Sequence, residues 1–204
     1  MKRLFIYFIF FTVFTCFSQI HANTVEAQKW LNIEITKIID LYRDQNTEMK
    51  QRLNAIEYAI NNNFAGNGIA RFVIGNVWNK SSEEHQKEFV KLFKEHLYLT
   101  IGSLMQGYSD QNYEFISSKE DTNQNVFLVG MEIENNDQKT LVTWRVKKAK
   151  DRYYVIDLLV ADISLVITKR AEFTSMLNKV DNNLGEVNKL LKEQNLQSYK
   201  KLTN

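Results

Sequence analysis

The chain has 204 residues, 44% hydrophobic and 25% charged, which is ordinary for one globular domain with a real core. Its 26 Lys and Arg nearly balance 24 Asp and Glu, which argues against a nucleic-acid partner, since that would need a net basic face. One cysteine and three histidines leave little for disulfide, thiol or zinc chemistry.

The first 22 residues read as a secretory signal peptide. Lys2-Arg3 precede the apolar run Leu4 to Phe17, and SQIHA then offers a small residue, Ala22, at the cleavage point. The run is shorter than the roughly 18–20 residues that span a bilayer. Val13-Phe14-Thr15 lacks the small residues that precede a lipidated cysteine, which argues against a lipoprotein anchored at Cys16. Loss of residues 1–22 removes Lys2, Arg3 and Cys16, leaving 24 bases against 24 acids and no cysteine in a single exported domain, 23–204.

Beyond the leader the apolar spacing is helical. Thr24 to Gln45 carries Leu31, Ile35, Ile38 and Tyr42 on one stripe, and Thr47 to Asn61 carries Met49, Leu53, Ile56 and Ile60. Gly66 to Trp78 is a shorter helix. Ser81-x-x-Glu84 reads as a capping box that opens a long helix to about Gln106, with Phe89, Phe93, Leu97, Ile101 and Leu104 on its apolar side.

After Gly107 the period becomes two. Tyr113–Ser118, Asn125–Ile133, Thr140–Lys148 and Arg152–Val160 read as four strands joined by short polar turns, hence an antiparallel meander. Phe127, Val129 and Met131 share one face, as do Val142, Trp144 and Val146. At Ala161-Asp162 the pattern breaks, and a helix capped by Asp162 or Ser164 follows, with Val166 and Phe173 on its stripe. A last helix carries Leu184, Val187 and Leu191. The predicted fold is α+β: an antiparallel four-stranded sheet packed with long amphipathic helices.

Catalytic and metal constellations are missing. His85 and His96 stand eleven residues apart on one helix, too far to share a metal, and there is no HExxH, GxSxG or glycine-rich phosphate loop. Asp157 is the one acid within an apolar strand. It reads either as a general base, with Tyr153 or His96 beside it in a small exported enzyme, or as a structural tie. As a tie it would pair with Arg145 or Arg170 or accept backbone bonds at the corner. Residue patterns alone leave a binding protein with an apolar pocket, an interaction module with a filled core, and that enzyme all open.

Two blocks carry a resemblance that separates them. Gly75-Asn76-Val77-Trp78, then Ser82, Gln86, Phe89, Phe93 and Leu97, form one; Tyr154-Val155-Ile156-Asp157, Val160, Ile163-Ser164-Leu165-Val166, Arg170 and Phe173 form the other. Val142-Thr143-Trp144-Arg145-Val146 sits between them. The chain resembles the MlaC-like periplasmic phospholipid-binding proteins, auxiliary components of an ABC transport system also known for toluene tolerance. Asp162 departs from that family's usual glycine, Ala161 from its frequent Glu, Lys169 from its common Tyr, and Tyr153 from its usual Trp.

The resemblance implies a periplasmic carrier shuttling phospholipid between outer and inner membranes. Its partners would be an outer-membrane lipoprotein complex and an inner-membrane ABC transporter complex with its MCE-domain protein. Phospholipid would be cargo, with no cofactor, no metal and no catalytic residue. The acyl tails are expected on one sheet face and the helices over it: Ile101, Leu104, Phe127, Val129, Met131, Val142, Trp144, Val146, Val166 and Phe173.

Overall fold

The computed structural model describes the backbone of residues 2–108, 111–135 and 138–204, and the side chains of residues 23–108, 111–134 and 138–204. The side chains of the predicted leader therefore lie outside the described residues, as does the middle of the turn expected over Glu134 to Lys139. Helices and strands follow in the order α1 (Lys2–Arg43), α2 (Met49–Asn63), α3 (Gly66–Ile74), α4 (Glu83–Leu104), β1 (Asn112–Glu120), β2 (Val126–Asn135), β3 (Gln138–Ala149), β4 (Arg152–Val160), β5 (Ile163–Ser164), α5 (Leu165–Lys179) and α6 (Leu184–Thr203). The class is α+β, as expected. The sheet has five strands in sequence order, all antiparallel, where four were predicted. The fifth is two residues long, too short to display a period.

Local chemistry explains the boundaries. Ser82, and not Ser81, caps α4, its hydroxyl accepting from the His85 N–H at 3.2 Å, while the Ser81 hydroxyl donates to the Val77 carbonyl at 2.8 Å. Gly75, at a φ of 63°, ends α3 and turns the chain into a 3-10 helix over Gly75–Lys80, which splits the helix predicted to Trp78. Asn183 caps α6 through the N–H groups of Gly185 and Glu186.

The β4–β5 link is a two-residue hairpin turn, Ala161-Asp162, between the paired Val160 and Ile163. Both turn residues hold positive φ, 48° and 63°, as a type I′ turn demands. The corner that the sequence left without glycine is therefore still left-handed. An aspartate at 162 tolerates that geometry; an alanine at 161 is strained there.

Two apolar cores meet. In one, α2, α3, α4, α5 and α6 enclose Phe89, Phe93 and Phe173, whose rings lie 5.3–5.7 Å apart. In the other, α1 lies along the inner face of the sheet: Ala27, Leu31, Ile35 and Ile39 pack with Phe127, Val129, Met131, Val142, Val146, Val155 and Leu158. Polar ties fix α1 on the sheet at two points, from the Ser118 hydroxyl to the Thr24 carbonyl (3.0 Å) and between the Thr36 and Tyr113 hydroxyls (3.1 Å).

Candidate functional site

Cross-strand register builds the floor of the site. Phe127 faces Val146, Val129 faces Trp144, Met131 faces Val142 and Ile133 faces Thr140, while Trp144 and Val142 also face Leu158 and Val160. A bulge in β4 opposite Arg145 and Val146 inserts Ile156, so that Val155 and Leu158 both point to the inner side. This inner face is nearly all apolar.

Helix α1 does not cover it evenly. Toward one end, Ala27 and Leu31 fill the space above Phe127, Val129, Val146 and Val155, all of them buried. Toward the other, the helices stand off and leave a cavity of about 370 Å³. Its walls are Ile35, Ile38 and Ile39 of α1, Ile56, Ala59 and Ile60 of α2, Phe64, and Ile101 and Leu104 at the end of α4. Its floor is Met131, Ile133, Val142, Trp144, Leu158 and Val160. Polar groups gather at one rim, formed by Gln106, Gly107, Tyr108, Gln111 and Thr140. The Tyr108 hydroxyl donates to the Gln111 carbonyl at 2.8 Å, and Arg43 reaches the same carbonyl at 3.4 Å, tying this rim to the end of α1.

The ten residues expected to contact acyl tails divide accordingly. Ile101, Leu104, Met131, Val142 and Trp144 line the cavity. Phe127, Val129 and Val146 share the sheet face but lie outside the cavity lining, packed with α1. Val166 packs against the helical core, and Phe173 is buried within it. Reading the strands identified the face without showing how much of it α1 occupies. The isoleucines of α1 and α2 were recognised as helix stripes and not as cavity wall; nothing in a 3.6-residue period distinguishes the two.

The three polar candidates resolve clearly. Asp157 is buried, and its Oδ1 accepts from the N–H groups of Leu158 (2.8 Å) and Val166 (3.1 Å), while Oδ2 accepts from the Ser164 hydroxyl (2.7 Å). The Ser164 hydroxyl in turn accepts from the Ile167 N–H and caps α5. Asp157 is thus a tie through backbone bonds at the corner. The two expected cationic partners are engaged elsewhere: Arg145 pairs with Asp121 at 2.8 Å, and Arg170 donates to the Phe72 carbonyl and lies 4.5 Å above its ring. Asp157 is no part of the cavity lining, and three hydrogen bonds hold both of its carboxylate oxygens at the corner. His96 lies edge-on to Phe173, 5.9 Å between ring centres. Burial first, then the neighbouring Lys169, lower its pKa to about 4, against the opposing pull of Glu172 and the Asn195 side chain. Tyr153 hydrogen-bonds Glu26 at 3.1 Å on the outer side of α1 and lies against Trp30.

The chain matches the family model "MlaC protein" over residues 33–193, from the middle of α1 into α6. The chain belongs to the MlaC family. No curated protein matches it. Among solved structures, a phospholipid-binding protein from Ralstonia solanacearum in complex with a phospholipid shares the fold. The TM-score is 0.72 at 16% identity, over 85% of this chain and 98% of that one. Membership of the MlaC family and the shared fold accord with a cavity whose lining is hydrocarbon and whose rim is polar.

Proposed function

We propose that this MlaC-family chain is a periplasmic phospholipid carrier: exported by cleavage of residues 1–22, it takes lipid at one membrane and delivers it at the other. The observation that carries this reading is the cavity of about 370 Å³, walled by isoleucine, valine and leucine, within a fold that in the Ralstonia relative holds a phospholipid. A volume of that size falls among small-molecule sites. Each methylene moved from water into such a sleeve gains about 0.8 kcal/mol, so a single tail can be held without any polar recognition. Release then requires the walls to open, which docking on a membrane partner would supply. An outer-membrane lipoprotein complex and an inner-membrane ABC transporter with an MCE-domain protein are the partners the family implies.

The enzyme alternative loses its acid, because Asp157 is spent on three hydrogen bonds at the corner. Lipid extraction and native mass spectrometry of protein purified from bacterial periplasm test the carrier directly. The expected result is co-purified phospholipid that exchanges into vesicles. Protein recovered empty and unable to take up phospholipid from vesicles would overturn it.

A further inference from the structure

A second hollow, of about 270 Å³, lies between α4 and α6, and it meets the first at Leu104, which lines both. Its character differs. Thr100, Ser103 and Ser198 bring hydroxyls, Lys201 brings an ammonium, and Leu99 and Leu202 form an apolar base. Among the described residues Lys201 has no carboxylate partner, and the Ser103 and Ser198 hydroxyls make no hydrogen bond within the protein. At the inner end stands His96, whose Nε2 is buried without a partner. Its imidazole is neutral near pH 7, so the hollow's own cation is Lys201.

Helices α4 and α6 run parallel, because Asn188 bonds to His85 and Glu88 while Asn195 bonds to Leu92 and Glu95. Both therefore end beside the hollow, which places Lys201 in the last turn of α6. One unpaired ammonium beside hydroxyl donors suits a phosphate. Leu104, 62% exposed despite its apolar side chain, is the ridge between this hollow and the apolar cavity.

We propose that the α4–α6 hollow seats the phosphate-bearing headgroup of the cargo, whose tail crosses Leu104 into the apolar cavity. The proposal rests on the carrier reading above and adds a headgroup site to it. Lys201 pairs with the phosphate oxygens, and Ser103 and Ser198 donate to them.

The test uses the full-length folded domain and three probes: dioleoyl-phosphatidylethanolamine, dioleoylglycerol with the same tails and no phosphate, and inorganic phosphate. Lys201→Gln is expected to weaken phosphatidylethanolamine binding about five-fold, the scale of one partly exposed charge pair, and to leave dioleoylglycerol binding unchanged. Ser103→Ala with Ser198→Ala is expected to act in the same direction. Equal phosphatidylethanolamine affinity in wild type and Lys201→Gln, or an equal loss for both lipids, overturns the headgroup seat and leaves the carrier reading standing. Inorganic phosphate bound in a Lys201-dependent manner without any effect of Lys201→Gln on the lipid would make the hollow a free-phosphate site and overturn it too. If wild type takes up neither lipid, the carrier reading falls and the headgroup seat falls with it.

Discussion

Ala161 and Asp162 form a two-residue corner with no glycine at either position, and both sit at positive φ. A left-handed conformation costs an alanine about 1 kcal/mol or more, because its Cβ crowds the following carbonyl, while aspartate is among the residues that visit it. Ala161→Gly is therefore expected to stabilise the protein by about 0.5–1 kcal/mol in urea unfolding, and Asp162→Gly to be nearly neutral. The reverse order of effects would show that the turn is not strained at 161. His96 is the second residue-scale lever. Its pKa of about 4 in the fold lies below the ordinary histidine value of 6.5. Between those values the unfolded chain binds the extra proton, so stability falls as the pH drops from about 6.5 to 4 and falls no further from this source below that. The full loss is about 3 kcal/mol. Unfolding midpoints of wild type and His96→Gln across pH 4–7 should converge toward the acid end; parallel curves would refute the assignment.

At the scale of elements, α4 and α6 are registered by a repeat of seven. Asn188 and Asn195 on α6 are both buried, and each donates to a backbone carbonyl and a glutamate of α4, seven residues apart on either helix. Buried asparagines at a coiled-coil seam select one alignment of two helices over others. Replacing Asn195 with alanine leaves Glu95 without that donor and opens a small void, at an expected cost of about 1–2 kcal/mol in chemical denaturation. Asn188→Ala should cost a similar amount, and the double variant should cost the sum of the two within error if the contacts are independent.

Much of this level was legible in the sequence. Period 3.6 marked the amphipathic helices, period two marked β1 to β4, and Ser164 was among the expected caps for α5. Strand β5 escaped because two residues display no period. The division of the sheet face escaped for a different reason: whether Phe127 or Met131 meets a helix or a void depends on where α1 docks. That docking is set by contacts such as Ser118 to Thr24 that join residues 94 positions apart.

For the molecule as a whole, the proposed carrier role would couple stability to bound lipid. A protein that binds a ligand only when folded is stabilised in proportion to the logarithm of ligand concentration over Kd, so on that proposal the empty protein should melt below the lipid-loaded one. The void also exacts a cost of its own, because its lining forgoes contacts that a filled core would make. Ala59 offers a way to separate the two effects. It stands on α2 at the cavity wall, where a larger side chain would point into the void. Ala59→Phe is expected to raise the melting temperature of the empty protein, while cutting the lipid recovered by native mass spectrometry several-fold. Phe127→Ala, outside the cavity lining, should do something else: it removes a buried ring from the α1–sheet core and costs about 3–5 kcal/mol. The lipid it binds while folded should be the same as wild type. If Ala59→Phe loads as much lipid as wild type, the cavity between α1, α2, α4 and the sheet is not where the tails lie.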